Sequence, residues 1–351
     1  MVAACPKRQE SYKFILGAIE SAMNETDDLS KDLPIISIII VAYNTKEETL
    51  SCIQSIQDKI DIKETPYEVI VSDNGSTDGG PDAVRERFPW VEVMENNANI
   101  GFGKANNRAA ANAAGDVLFF LNPDTLVVND IGGMADYIRQ HRKVGALNPL
   151  IVDAKGGFKD SFDNYKISSY LAFKLINLSF PWPFFRLWGK RHQRNILTME
   201  VFGTERFYGC AFLMRKDTFA EIGHFDENLF MYYEEEDVSF RLKRRGYTCC
   251  IYPKSMVIHV GLKTDRGESG HPFTDRDQRM WASERHLLKK HFPHTWAIRY
   301  LLDIGITIRA SVRLVLKRLS GKGEAGNFND IICNCTRRIR LAFSVLTRKM
   351  Q

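Results

Sequence analysis

The residues of this chain best suited to chemistry are Asn122, Pro123 and Asp124. They follow an apolar run, Val117 to Leu121, that is predicted to be a buried strand. A carboxylate at the carboxyl end of a strand lies where open α/β sheets bind ligands, and a divalent metal that bridges a diphosphate needs hard oxygen ligands. A polar turn is the plainer interpretation of the same residues. Other segments must decide between the two.

Two further apolar runs also end in polar loops. The run Ile36 to Val41 leads into the loop residues Ala42, Tyr43 and Asn44. Thr45 and Glu48 follow with the spacing of a capping box, which predicts that a helix starts there. The chain therefore begins its first α/β unit at this strand.

The second of these runs, Tyr67 to Val71, ends in a loop that Asp73 and Asn74 open. Glycines in this loop let the backbone approach phosphates and hydroxyl groups closely, although an ordinary Asx-rich turn has a similar composition. A third polar stretch contains Asn99, Gly101 and Asn106. Its glycines form only part of a dinucleotide fingerprint, and none follows the first predicted strand, so the signal for a dinucleotide is weak.

An acidic cluster supplies candidates for a general base. It consists of Glu234, Glu235, Glu236 and Asp237. Carboxylates favour the N-terminus of a helix, so a solvated helix start is one interpretation of the cluster. A carboxylate that accepts a proton from a hydroxyl group is the other.

Taken in order, these segments resemble the inverting family 2 glycosyltransferases, whose fold is called GT-A, across residues 34–262. The resemblance implies an α/β fold with a mixed central sheet flanked by helices and a helical C-terminal extension. We expect an N-terminal extension at residues 1–33, a catalytic domain at 34–265 and a basic helical region at 266–351. Residues 34–150 would form the nucleotide-binding half of the domain, and residues 151–265 the acceptor-side half.

The resemblance also implies roles for individual residues. Nucleotide contacts would come from Ala42, Tyr43, Asn44, Asp73, Asn74, Asn99, Gly101, Asn106 and Asn122. The family's metal-binding Asp-x-Asp corresponds to Asn122, Pro123 and Asp124. Because Asn122 carries no charge, binding of Mg²⁺ or Mn²⁺ would depend on Asp124 together with the donor's diphosphate.

His259 matches a histidine that lies near the diphosphate in related enzymes, which makes it a second expected metal ligand. By itself, a histidine at the end of an apolar run is more often a core residue.

Glu235 matches the family's catalytic base, at a position where aspartate is usual. Because glutamate is longer by one methylene group, Glu234 and Asp237 stay open as alternatives. The implied reaction is displacement at an anomeric carbon. The carboxylate takes the proton of an acceptor hydroxyl as that oxygen attacks from the face opposite the leaving group, which inverts the centre.

Two features are most similar to those of bacterial rhamnosyltransferases that use dTDP-rhamnose. They are the loop that starts at Asp73 and the presence of Asn122 where the family usually has an aspartate. We therefore expect a nucleotide-diphosphate sugar donor and a lipid-linked glycan of the cell surface as acceptor. Two alternatives stay open. One is a transferase of the same fold that uses UDP-hexose or UDP-N-acetylhexosamine, and the other is a sugar-nucleotide-binding or scaffold protein without catalysis.

Composition bears on the location of the protein. The 351 residues are 44% hydrophobic, which is enough for a large core. The seven cysteines are odd in number and scattered, as is typical of reduced cytosolic thiols. The apolar patch Phe14 to Ile19 is too short for the core of a signal peptide. We expect a cytoplasmic protein.

Two regions bear on partners. The segment Trp296 to Leu316 is too charged to span a bilayer, but Arg309, Arg313 and Lys317 recur at helical spacing and suit an anionic membrane surface. Packing against the catalytic domain is the equal alternative. The aromatic residues between Phe180 and Trp188 suit a membrane interface or a core. The basic tail lacks a nucleic-acid-binding motif, so we expect no nucleic-acid partner. The basic helix and the lipid-linked acceptor together lead us to expect a peripheral location at the inner face of the cell membrane.

Overall fold

The computed structural model describes residues 36–154, 156–157, 200–261, 275–293 and 305. The predicted N-terminal extension at 1–33, the aromatic segment at 180–188 and the basic residues at 309, 313 and 317 lie outside the described residues. The division of the chain into domains therefore stays a prediction.

The first half alternates strands and helices. Its elements are β1 (Ile36–Ala42), α1 (Lys46–Lys59), β2 (Tyr67–Asp73), α2 (Gly80–Arg87), β3 (Glu92–Glu95), α3 (Phe102–Asn112) and β4 (Val117–Leu121). The strand β1 pairs in parallel with β2 and β4, and β2 pairs in parallel with β3. The three apolar runs of the sequence are confirmed as β1, β2 and β4.

The second half adds antiparallel strands. Its elements are β5 (Thr125–Val127), α4 (Gly132–Gln140), β6 (Val144–Asp153), β7 (Phe202–Thr204), β8 (Ala211–Arg215), α5 (Lys216–Glu221), α6 (Glu234–Arg244), β9 (Thr248–His259) and α7 (Asp275–His291). In the described chain the strands form one sheet in the order β3-β2-β1-β4-β8-β6-β9-β5, with β7 on β9. The sheet is mixed, as predicted, because β8 runs antiparallel to β4 and β6.

The central strands are mostly apolar because both faces of the sheet are covered. Along β1, Ile38 and Ile40 pack in one hydrophobic cluster, while Ile39 packs in another on the opposite face. In the second cluster the ring of Phe120 lies 4.9 Å from that of Phe212, measured between centroids. Within the described residues, no helix is long and apolar enough to cross a membrane.

The helix predicted to begin near Thr45 is confirmed as α1, but the capping box does not form. The Thr45 hydroxyl lies 3.2 Å from the hydroxyl of Thr49. Instead, the Lys46 amide donates a 2.9 Å hydrogen bond to Asp78, whose other carboxylate oxygen accepts from the Gly80 amide. One carboxylate thus satisfies a backbone donor at the start of both α1 and α2, where such donors lack partners within the helix. This ties together the loops that follow β1 and β2.

Candidate functional site

The loops after β1 and β2 form one connected surface at the carboxyl edge of the sheet. Ala42, the last residue of β1, lies opposite Asp73, the last residue of β2, and its carbonyl accepts a 2.8 Å hydrogen bond from the Asn74 amide. Tyr43, the next residue, is exposed. Asn44 has a left-handed backbone with φ of 51°, and its side-chain oxygen accepts a 2.8 Å hydrogen bond from the Thr77 amide. The predicted nucleotide residues of these two loops therefore lie together.

Asp73 is buried, and only one of its two carboxylate oxygens is hydrogen-bonded among the described residues. Its Oδ2 accepts hydrogen bonds of 2.9 Å from the amides of Gly75 and Ser76. Its Oδ1 is buried and has no hydrogen-bond partner among the described residues. This oxygen is available to a donor group of a ligand.

The predicted residues Asn74, Asn99, Gly101 and Asn106 shape the neighbouring loop. The Asn74 amide nitrogen donates to the Gly101 carbonyl at 3.3 Å, and the Gly101 amide donates to the Asn99 side chain at 3.2 Å. Asn106 is buried, and its amide nitrogen donates to the Phe102 carbonyl within α3 at 3.0 Å. These contacts hold the loop in place, and a direct role in nucleotide binding stays a prediction.

Strand pairing brings the two expected metal ligands together. The strand β5 pairs antiparallel with β9 so that Thr125 lies opposite His259. As a result His259 Nε2 lies 3.0 Å from Oδ2 of Asp124, whose side chain is 5% exposed. Within the described residues, no group of three or more His, Cys, Asp or Glu side chains is arranged to hold a metal ion.

Three buried acceptor oxygens at this edge lack hydrogen-bond partners among the described residues. They are Asp73 Oδ1, Asn122 Oδ1 and Asp124 Oδ1. Most buried polar groups in proteins are paired, so an unpaired one calls for a specific explanation. All three belong to residues at or just after the carboxyl ends of β2 and β4, where open α/β sheets bind ligands. Their positions define the candidate site.

The acidic cluster lies close to this edge because β8 pairs with β4. The Asn122 amide donates a 2.8 Å hydrogen bond to the carbonyl of Cys210, just before β8. The preceding residue, Gly209, lies against Glu235: a Cβ atom at position 209 would be 3.5 Å from Oε2 of that carboxylate. The Glu235 carboxylate therefore lies beside the segment that leads through Cys210 to Asn122.

The three glutamates of the cluster are shielded from solvent and have few cationic partners. Burial raises the pKa of Glu234 to about 8, and burial together with the charges of Glu236 and Glu234 raises the pKa of Glu235 well above its usual range. Burial also raises the pKa of Glu236, although Arg206 opposes the shift by donating a 2.5 Å hydrogen bond to Glu236 Oε1. Such groups hold protons more tightly than ordinary carboxylates.

Asp237 has the opposite surroundings. Its side chain is fully buried, and its oxygens contact Arg241 at 2.6 Å, Lys290 at 2.7 Å and His291 at 2.7 Å. Burial by itself would raise the pKa of Asp237, but His291, Arg241 and Lys290 together lower it to about 2. The carboxylate is committed to three cationic or hydrogen-bonding partners.

Residues 37–223, more than half of the chain, match the family model described as glycosyl transferase family 2. The chain belongs to this family. Over 280 residues, the glycosyltransferase is 29% identical to an N-acetylglucosaminyl-diphospho-decaprenol L-rhamnosyltransferase of Mycobacterium tuberculosis. The aligned region covers 74% of this chain and 90% of the relative.

Two solved structures are similar to this glycosyltransferase. A mannosyltransferase of Pyrobaculum calidifontis in complex with GDP-Man and Mn²⁺ has a TM-score of 0.50 and 16% identity, over 95% of this chain and 89% of the other. GalNAc-T7 with UDP, GalNAc and Mn²⁺ has a TM-score of 0.49 and 17% identity, over 74% of this chain. The chain spans about half the length of GalNAc-T7, at 53%. The fold is GT-A, as predicted.

Four residues near the candidate site are not predicted by the sequence: Arg206, His286, Lys290 and His291. Each contacts an acid of the site region only because distant segments meet, and His291 lies 54 positions from Asp237. One signal was present in the sequence: Arg279, Ser283, His286 and Lys290 recur at spacings that place them on one helix face. The pattern does not reveal what that face contacts.

The raised pKa of Glu234 predicts how stability depends on pH. Between pH 4.5 and about 8, the Glu234 carboxyl is protonated in the native state and ionised in the unfolded state. The contribution of this carboxyl to stability is therefore fully present below pH 4.5 and is lost as pH rises towards 8. Glu234→Gln removes the titration. The melting temperature of the variant should exceed that of the parent by a margin that grows from pH 5 to pH 8, with a limit of about 1.4 kcal/mol per pH unit in unfolding free energy.

Glu64→Gln is the matched control. Glu64 is exposed, so this variant should track the parent at every pH because solvent screens the charge. A margin for Glu234→Gln that stays constant, or that grows on acidification, would contradict the raised pKa.

Proposed function

We propose that this protein is an inverting, metal-dependent glycosyltransferase that moves rhamnose from dTDP-rhamnose to a hydroxyl group of a lipid-linked cell-surface glycan. The observation that supports this most directly is the set of three buried acceptor oxygens without partners among the described residues, on Asp73, Asn122 and Asp124. Glu235 lies against Gly209, close to the segment that pairs with Asn122. A nucleotide diphosphate sugar offers hydrogen-bond donors in its base and sugars, and a charged bridge that attracts a metal ion.

The donor's nucleoside would bind over the loops after β1 and β2. Asp73 Oδ1 would accept a hydrogen bond from the base or the sugar of the nucleoside, while Tyr43 and Asn44 would cover it. Asn122 Oδ1 is a neutral acceptor that suits a hydroxyl group. These residues bind and orient the donor and do not take part in bond cleavage.

Asp124 and His259 would hold the metal ion. The residues fit a divalent cation such as Mn²⁺ or Mg²⁺, because Asp124 Oδ2 lies 3.0 Å from His259 Nε2 while Asp124 Oδ1 has no hydrogen-bond partner among the described residues. When bound, the ion would supply positive charge that stabilises the departing nucleoside diphosphate. The pair supplies two ligands, so the diphosphate and water would complete the coordination.

Glu235 would act as the general base. Its carboxylate would take the proton of the acceptor hydroxyl as that oxygen forms a bond to the anomeric carbon and the bond from that carbon to the diphosphate oxygen breaks. A raised pKa makes the deprotonated carboxylate a stronger proton acceptor. Asp237 is a poorer candidate because its pKa is lowered to about 2 and its oxygens already contact Arg241, Lys290 and His291.

The choice of rhamnose is supported by the name of the Mycobacterium tuberculosis relative, an L-rhamnosyltransferase that acts on a decaprenol-linked substrate. That name also supports the lipid-linked acceptor. UDP-hexose or UDP-N-acetylhexosamine is the alternative donor, since the same edge of the sheet would accept either nucleoside. An inactive sugar-nucleotide-binding protein is the alternative without catalysis.

A lipid-linked acceptor calls for a location at the inner face of the cell membrane. We propose that the basic residues Arg309, Arg313 and Lys317 contribute to this location by binding anionic lipid headgroups.

The metal and donor are tested together. Parent protein should be stabilised in a thermal-shift screen by dTDP-rhamnose more than by UDP-hexoses, and only when Mn²⁺ or Mg²⁺ is present. Asp124→Ala should lose this metal-dependent shift and sugar transfer, while keeping the unfolding temperature of the ligand-free parent. Full transfer by the parent in excess chelator would refute the metal, and a larger shift with a UDP-sugar would replace the proposed donor.

The base is tested by Glu235→Gln, which is nearly isosteric but cannot accept a proton. Turnover should fall on the order of a hundredfold, the usual scale of general-base catalysis, while donor affinity stays unchanged. Glu64→Gln, at an exposed glutamate outside the acidic cluster, is the control and should retain most of the turnover. A parent protein that binds the donor but shows no turnover would favour the inactive sugar-nucleotide-binding protein.

The membrane contact is tested by replacing Arg309, Arg313 and Lys317 with Gln. Each cation near an anionic surface contributes about 1 kcal/mol, so the triple variant should leave vesicles that contain anionic lipid at salt concentrations where the parent stays bound. Vesicle sedimentation measures this, with neutral vesicles as control. Equal binding by both proteins would mean that the three side chains pack against the protein instead.

A further inference from the structure

One face of α7 contacts the segment that leads into the acidic cluster. Arg279, Ser283, His286 and Lys290 are separated by four, three and four positions, which places them on one side of the helix. The Arg279 guanidinium lies 4.9 Å from the centroid of the Phe230 ring. The Ser283 hydroxyl donates a 2.8 Å hydrogen bond to the carbonyl of Met231. Helix α7 thus lies along the residues that precede Glu234.

Lys290 contacts both ends of the segment 226–237, which includes the acidic cluster. Its Nζ lies 2.7 Å from Asp226 Oδ2 and 2.7 Å from Asp237 Oδ1. The two carboxylates are 10% and 0% exposed, so solvent screens their contacts with the ammonium group only weakly. Each carboxylate has a further partner on α7, His286 for Asp226 at 2.8 Å and His291 for Asp237 at 2.7 Å.

The segment between these carboxylates has a backbone that needs support. Tyr232 and Tyr233, directly before the cluster, have left-handed φ angles of 73° and 72°. Residues with side chains rarely adopt this conformation, and it persists only where the surroundings impose it. Helix α3 supports the segment from another side, since the Phe102 amide donates a 3.0 Å hydrogen bond to the Phe230 carbonyl.

The support from α3 also connects the segment to the nucleotide loop. At Gly101, a Cβ atom would lie 2.5 Å from the Phe230 carbonyl oxygen, so the loop and the segment meet without space for a side chain. The segment is therefore enclosed by α3 next to the donor-side loop and by α7. Of these two, only α7 contacts both of its ends through charged groups.

We propose that Lys290 is a positioning residue for sugar transfer. Its ammonium group, shared by Asp226 and Asp237, holds residues 226–237 in the conformation that presents Glu235 to the acceptor. This inference rests on the proposed function, in which Glu235 is the base. Lys290 does not contact the reacting atoms and acts only through the segment that carries Glu235.

The substitution Lys290→Met tests the bridge, because it keeps the length of the side chain and removes the charge. Asp226 would keep His286, and Asp237 would keep His291 and Arg241, so neither carboxylate would be left alone. We expect kcat to fall about tenfold or more, while the donor KM and the donor-induced thermal shift stay within about twofold of the parent. Lys290→Arg, which retains a cation, should recover much of the lost kcat.

Lys289→Met is the matched control. Lys289 precedes Lys290 on the same helix and is exposed, so its substitution removes the same charge from α7 at a different position. It should leave kcat within about twofold of the parent. An equal loss in both variants would attribute the effect to the net charge of the helix and would refute the bridge.

A double-mutant cycle separates positioning of the base from general loss of structure. In a Glu235→Gln background, Lys290→Met should reduce the residual turnover by about twofold or less, because the group that it positions is already inactive. Losses that multiply would show that Lys290 acts on something else and would overturn the proposal.

Asp226→Asn provides a second variant if Lys290→Met does not fold. It breaks the bridge from the carboxylate side, and the same lowered kcat and the same lack of additivity with Glu235→Gln are expected of it. Parent-like kcat in the folded variants, together with an inactive Glu235→Gln, would refute the bridge alone. An active Glu235→Gln would instead refute the base assigned in the proposed function.

Discussion

The antiparallel pairing of β4 with β8 is the interaction on which the candidate site depends. It places Leu121 opposite Ala211, and just beyond this pair the Asn122 amide donates to the Cys210 carbonyl. On one side of the pairing, the chain continues to Asp124 at the edge of the sheet. On the other, Gly209 lies against Glu235. Because a shift of register by one residue would turn every side chain of the strand to the other face, a single alignment sets both the segment that leads to Asp124 and the acidic part of the candidate site.

The site is built from polar groups that the protein itself does not satisfy. Leaving a buried acceptor without a partner costs about 1–3 kcal/mol, and Asp73, Asn122 and Asp124 each carry one such oxygen at the same edge. The rest of the structure must offset this cost, which the covered sheet does by burying apolar residues on both of its faces. A ligand that donates to these oxygens, or coordinates them, removes the cost. Part of its affinity then comes from groups already held in place.

Four consecutive acids in one turn of α6 have opposite properties because their surroundings differ. Burial, together with the like charges of neighbouring acids, raises the pKa values of Glu234 and Glu235. Asp237 is at least as buried, but Arg241, Lys290 and His291 contact it and lower its pKa. Environments that separate the pKa values of neighbouring groups in this way are typical of active sites, where one acid serves chemistry and another serves structure. The partners of Asp237 also link α7 to the cluster.

The sequence by itself determined the parts of this protein that depend on local order. Nearly continuous apolar runs predict buried strands because both faces of a covered strand meet apolar surroundings. The runs that begin at Ile36, Tyr67 and Val117 are β1, β2 and β4. The order of the polar loops indicated the GT-A fold. The sequence also predicted that Asp73 and Asp124 lie at one edge of the sheet, because each follows a parallel strand and such strands have their carboxyl ends at the same edge.

Only the tertiary structure decided which polar groups meet. Thr45 and Glu48 have the spacing of a capping box, yet Asp78 accepts the hydrogen bond from the start of α1 because the folded sheet brings its loop there. His259 meets Asp124 through the β5–β9 pairing. The sequence left Glu234, Glu235 and Asp237 as open alternatives for the same reason. What distinguishes them is burial and the partners on α7, and both depend on segments that are far apart along the chain.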